Sequence, residues 1–108
     1  MTPEQQRIAI AEACGWNLVE DHPDYLPYWE DPKGNMVAVS NYGHKFPDYL
    51  NDLNAMHEAE KVLTADEWYE YDSMMPLRDP QKIHATARQR AEAFLRTIGK
   101  WTENPNKI

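Results

Sequence analysis

Ala85 to Trp101 is the stretch that most restricts what this chain can fold into. Thr86 and Gln89 form a capping-box pair, in which each side chain takes up a backbone N–H left free at a helix start. Gly99 supplies the left-handed residue that closes a helix. Between those two stops Ala87, Ala91, Phe94, Leu95 and Ile98 recur at helical spacing and make one apolar stripe. A helix with one greasy side must bury it against other elements, so the rest of the chain has to supply a surface for it. The same helix carries Arg88, Arg90, Arg96 and Lys100, the densest run of bases in the sequence.

Two further helices announce themselves by the same chemistry. Thr2 and Gln5 make a capping box around Pro3, which suits the first helical position; Ile8, Ala11 and Cys14 are read as inward, and Gly15 as the stop. Thr64 and Glu67 make another, opening a helix with Trp68, Tyr71 and Met75 inward and Pro76 at its end. A helix from Pro47 to about Leu63 is expected between them, capped by Asp48, with Tyr49, Leu53, Met56 and Leu63 as its buried stripe.

Residues 16–40 read differently. Trp16–Val19 and Tyr28–Glu30 are short strand signals, and Asp31-Pro32-Lys33-Gly34-Asn35 is a reversing loop. Met36–Ser40 returns beside Tyr28–Glu30 as an antiparallel hairpin, and Asn41–Pro47, with Gly43 and His44, follows as a loop. Leu77–His84 is a connector with a brief strand at Lys82–His84, and residues 104–108 form a frayed tail. Three short strands cannot bury themselves, and amphipathic helices need a surface to cover. The expected fold is therefore a single α+β domain over residues 1–103, a small antiparallel sheet sandwiched between helices in helix–sheet–helix layers.

Charge narrows the function. The net charge is −7, which argues against a general grip on nucleic-acid phosphates. Its layout is polarised: residues 48–72 carry eight acids against Lys61 alone, whereas residues 73–108 carry three acids against seven bases. The apolar runs, such as Met36-Val37-Ala38-Val39, are too short to span a bilayer, and with no charged-then-apolar stretch ahead of Pro3 a secretion signal is not expected. A single cysteine, Cys14, suits a reducing compartment, so a cytoplasmic protein is expected.

Catalytic and metal chemistry find no foothold. Ser40 and Ser73 are the only serines, and neither stands in a nucleophile-elbow pattern. His57-Glu58-Ala59-Glu60 lacks the second histidine that a zinc-protease helix needs one turn on. The four glycines are scattered as caps and turns rather than gathered into a phosphate loop. We expect no enzyme, no metal and no cofactor.

Arg88 and Arg90 invite another reading, because both flank the apolar stripe of the last helix instead of pointing straight away from it. Two alternatives stand. Each arginine pairs with an acid of the second helix, Asp52 or Glu60. Otherwise they grip an anionic planar ligand, with Trp29 and Tyr49 stacking on it and Asn51 and Asn54 orienting its polar edges.

The run Pro47-Asp48-Tyr49 followed by Leu50-Asn51-Asp52-Leu53-Asn54-Ala55-Met56-His57-Glu58-Ala59-Glu60 resembles the phage ABA-sandwich domain family of small phage and prophage accessory proteins. So do Ala85-Thr86-Ala87, the run Gln89 to Trp101, and the segment from Ile8-Ala9 to Cys14-Gly15-Trp16. The resemblance implies a helix–sheet–helix sandwich acting in the cytoplasm of an infected bacterial cell, and it carries over no catalytic site. It implies counter-defence by one of two routes. In the first, a homo-oligomer sequesters a cyclic or other signalling nucleotide. In the second, an acidic surface mimics DNA and blocks a host protein. A morphogenesis or replication accessory role is the remaining alternative.

Overall fold

The computed structural model describes residues 1–25, 27–39, 47–75 and 85–103. Those residues form an α+β fold of four helices and a three-stranded antiparallel sheet. In order they are α1 (Pro3–Ala13), β1 (Asn17–Val19), β2 (Tyr28–Glu30), β3 (Met36–Val39), α2 (Leu53–Glu60), α3 (Ala65–Met74) and α4 (Ala87–Thr97). The brief strand expected at 82–84, residues 40–46 of the hairpin end and loop, Pro76, and the tail lie outside the described residues.

All three capping boxes form. Thr2, Thr64 and Thr86 each accept from the N–H three residues on, and Gln5, Glu67 and Gln89 each accept from the threonine N–H, at 2.9–3.2 Å. The two glycine stops are equally complete. Gly15 (φ 102°) lets Trp16 N–H reach back to Ala11 C=O at 3.0 Å, and Gly99 (φ 75°) lets Lys100 N–H reach Leu95 C=O at 2.8 Å. Because its N–H serves the helix end, Trp16 does not join the sheet, and β1 starts one residue later than expected.

The second helix is shorter than its sequence suggests. Asp52, not Asp48, is the cap, its Oδ1 accepting from Asn54 N–H at 2.9 Å. Asp48 heads a turn, its carbonyl accepting from Asn51 and Asp52 N–H. That turn buries the successive side chains Tyr49 and Leu50, each 2% exposed. At the far end Lys61, Val62 and Leu63 bond three residues back, a tightened last turn.

Helix α4 is the hub, packed against α1, α2 and α3. Its Ala87, Ala91, Phe94 and Leu95 are buried as the stripe predicted, Ala93 joins them, and Ile98 is half-buried. From α1 the deepest residues are Ile10 and Ala11, with Ile8 and Cys14 at the edge. Tyr71 and Met75 are buried, Met75 holding an extended ψ of 135° as a residue before proline prefers. Two residues expected inward, Leu53 and Trp68, stay 38% and 45% exposed at the rim, Trp68 resting on Tyr71 at 5.3 Å between ring centroids.

The sheet runs β1-β2-β3, with Leu18 opposite Trp29 and Trp29 opposite Ala38. A bulge between Trp29 and Glu30 shifts the register of β3. The hairpin loop is tied by Asp31, whose Oδ1 accepts from Lys33 and Asn35 N–H, both at 2.9 Å. Those bonds, that from Asn35 foremost, hold its carboxyl below the usual carboxylate range. Trp29 is 2% exposed within the helical core, and Leu18 and Val37 pack beside it. On the other face Tyr28 meets the rings of His22 and Tyr25.

Candidate interaction surface

Three of the six residues nominated from sequence are consumed by the fold. Trp29 and Tyr49 belong to the buried core, so neither ring face is open to a ligand. Burial, and next the neighbouring Cys14, push the Tyr49 phenol well above its usual range. Arg90, 9% exposed, is the centre of a buried polar network. Its Nη1 donates to Glu60 Oε2 at 2.9 Å and its Nε to Ala85 C=O at 3.2 Å. Tyr71 OH donates to the same Glu60 oxygen, and His57 Nδ1 lies 2.9 Å from the other. One carboxylate thus ties α2, α3 and α4 together. Of the two alternatives posed for Arg90, pairing with Glu60 is the one the structure realises.

The other three are at the surface. Arg88 Nη2 approaches Asn51 Oδ1 at 3.5 Å, the long limit of a hydrogen bond. Asn51 Nδ2 donates to Asp48 Oδ2 at 3.0 Å, and Arg7 Nε donates to Asp48 Oδ1 at 3.0 Å. Asn51 foremost, with Arg7 contributing, holds the Asp48 carboxyl below its ordinary range. This chain stitches α4 to α1 across the turn before α2. Asn54 is exposed in the first turn of α2. Among the described residues, two clefts of about 280 and 290 Å³ are lined by Ala9, Glu12, Ala13 and Lys100 and by Met74, Arg96, Gly99, Trp101 and Glu103. Neither cleft includes any of the six.

What stands open is the α2–α3 side. Helix α3 carries Asp66, Glu67, Glu70 and Asp72 and no base. Elsewhere in the acidic segment Asp48 is matched by Arg7, Glu58 by Lys61 and Glu60 by Arg90. Among the described residues neither Asp66 nor Glu70 makes an ion pair. Acids in the first turn suit the helix dipole, but Asp72 stands in the last turn, at its negative end, where an acid is unfavourable. Tyr69, 78% exposed, rises from this face, with Trp68 at 45% and Val62 at 44% nearby in sequence. Sequence reasoning nominated the acids but not Tyr69. The signal was there, since Tyr69 falls about 160° round the helix from the buried Tyr71.

Among the described residues, no group of three or more His, Cys, Asp or Glu is placed to hold a metal, and no helix is long and apolar enough to cross a membrane. Comparison with family models, with curated proteins and with solved structures finds no match to this chain.

Proposed function

We propose that this chain is a non-enzymatic binding protein that engages a host protein through the acidic surface of residues 48–72, as a phage accessory protein of the resembled family would. The observation that carries this reading is the distribution of charge once the internal pairs are formed. Asp52, Asp66, Glu67 and Glu70 remain on one contiguous stretch of sequence, interleaved with the exposed Val62, Trp68 and Tyr69. Carboxylates around exposed aromatics suit a basic protein partner, where charge steers the encounter and aromatic burial holds the complex. Nucleotide capture by stacking on Trp29 or Tyr49 would require opening the core, and Arg90 would have to leave Glu60 uncompensated.

The test is affinity capture from a bacterial lysate, repeated with a variant carrying D52N, D66K and E70K. Asparagine keeps the cap of α2 while removing its charge, and Glu60 is left alone because it is buried in its pair. Loss of the captured protein in the variant, and on raising the salt for the wild type, is expected. Undiminished capture by the variant overturns the reading. Calorimetry against cyclic di- and trinucleotides completes the test, and stoichiometric heat there would favour nucleotide sequestration instead.

A further inference from the structure

We infer that the outward face of α3 is a docking surface for an arginine-bearing segment of a partner protein, with Tyr69 as its anchor and Asp66 and Glu70 as the carboxylates that receive the guanidinium. This rests on the acidic-surface reading and names the partner chemistry of that surface.

Helix geometry sets the arrangement. Asp66 lies three residues before Tyr69 and four before Glu70, so it is a neighbour of both, and the three share the outward face with Asp66 in the middle. Asp66 and Glu70 are themselves one turn apart, a like-charged pair that disfavours the isolated helix. A ring left 78% exposed beside Asp66 gains nothing for the fold. Together they supply what an arginine uses and a lysine uses less well. The planar guanidinium stacks on a phenol face while its fork donates to carboxylates beside it.

The same charges exclude other occupants. A nucleotide, a nucleic acid or an anionic membrane surface is repelled. A second copy of this chain lacks a matching basic cluster among its described residues. Arg96 is engaged by Glu92 and Glu103 and by the ring of Trp101, and Arg7 is engaged by Asp48. Arg88 lies in the first turn of α4 and Lys100 three residues past its end.

The probes are octa-arginine and octa-lysine peptides, titrated into the full isotope-labelled chain and followed by amide chemical shifts and calorimetry. Shifts are expected on Asp66 to Ser73, with octa-arginine bound more tightly. Tyr69→Ala should weaken octa-arginine by about 5-fold and leave octa-lysine nearly unchanged, with Tyr69→Phe close to wild type. Its melting temperature should not move, which separates binding from folding. If Tyr69→Ala binds octa-arginine as the wild type does, or the shifts centre on Asp52 and Glu58, the anchor is wrong while the acidic-surface reading stands. If neither peptide binds even at about 20 mM salt, both are overturned. A concentration-dependent dimer abolished by Tyr69→Ala assigns the face to a second copy and overturns the inference.

Discussion

Replacing Arg90 with methionine isolates the largest electrostatic commitment in the fold. Methionine keeps most of the apolar stem, so the perturbation falls on the charge and its donors rather than on volume. Two bonds to buried acceptors are among the losses. Glu60, 6% exposed, keeps Tyr71 OH and His57 but loses the cation 2.9 Å away. Ala85 C=O, on a residue 1% exposed, loses the Nε donor. Breaking a buried pair by removing one partner costs about 3–5 kcal/mol, because the remaining charge stays out of water uncompensated. A domain of this size is stable by only about 5–15 kcal/mol. The variant should therefore melt about 12–20 °C lower and unfold at a clearly lower urea concentration, read by circular dichroism. Removing the carboxylate and phenol as well, in Glu60→Met, Tyr71→Phe, Arg90→Met, takes away the uncompensated charge and leaves the Ala85 carbonyl still short of its Nε donor, so most but not all of the loss should return. A loss below about 1 kcal/mol for Arg90→Met, or a triple variant no more stable than the single one, would refute the assignment of Glu60 and Arg90 as a desolvated, mutually dependent pair.

Three further outcomes are expected. Burial, and for Tyr71 the adjoining Glu60, raise the phenols of Tyr71 and Tyr49 in the folded chain. Their stabilising contribution is whole below about pH 10 and is lost above it, at up to about 1.4 kcal/mol per pH unit for each; urea midpoints from pH 9 to 11.5 should fall, and less steeply in Tyr71→Phe. Asp48 has a lowered pKa, so its contribution is present above about pH 4 and lost as pH falls further; Asp48→Asn should be less stable than wild type at pH 7 and converge with it in acid. Gly99→Ala meets no atom within 4 Å but must hold φ 75°, so its cost is conformational, about 1–2 kcal/mol by chemical denaturation; a neutral result would mean the α4 stop relaxes without strain.

Most of the fold was legible because its signals are local. A capping box closes over four residues and a glycine stop over six, so α1, α3 and α4 could be read from their ends. The start of α2 was not legible, since Asp48 and Asp52 are equally good caps by residue type, and it takes the fold to show that the Asp48 carboxylate is engaged by Arg7 and Asn51 while that of Asp52 caps the helix. The site was harder for the same reason. A three-residue strand such as Tyr28–Glu30 is too short for its period to say whether Trp29 faces a core or a ligand. Nor does the wheel of α3 alone say that Trp68 stops at the rim while Tyr69 stands clear.

The last helix shows both halves of this. Thr86, Gln89 and Gly99 act on backbone groups a few residues away, so sequence by itself determined where that helix begins, where it ends and which stripe it buries. The fate of Arg90 was set by a residue thirty positions earlier in the chain. Whether an arginine beside an apolar stripe meets solvent, a ligand or a buried carboxylate depends on what the neighbouring helix presents to it. Only the packing of α2 on α4, which carries Glu60 to within 2.9 Å of the guanidinium, made that choice.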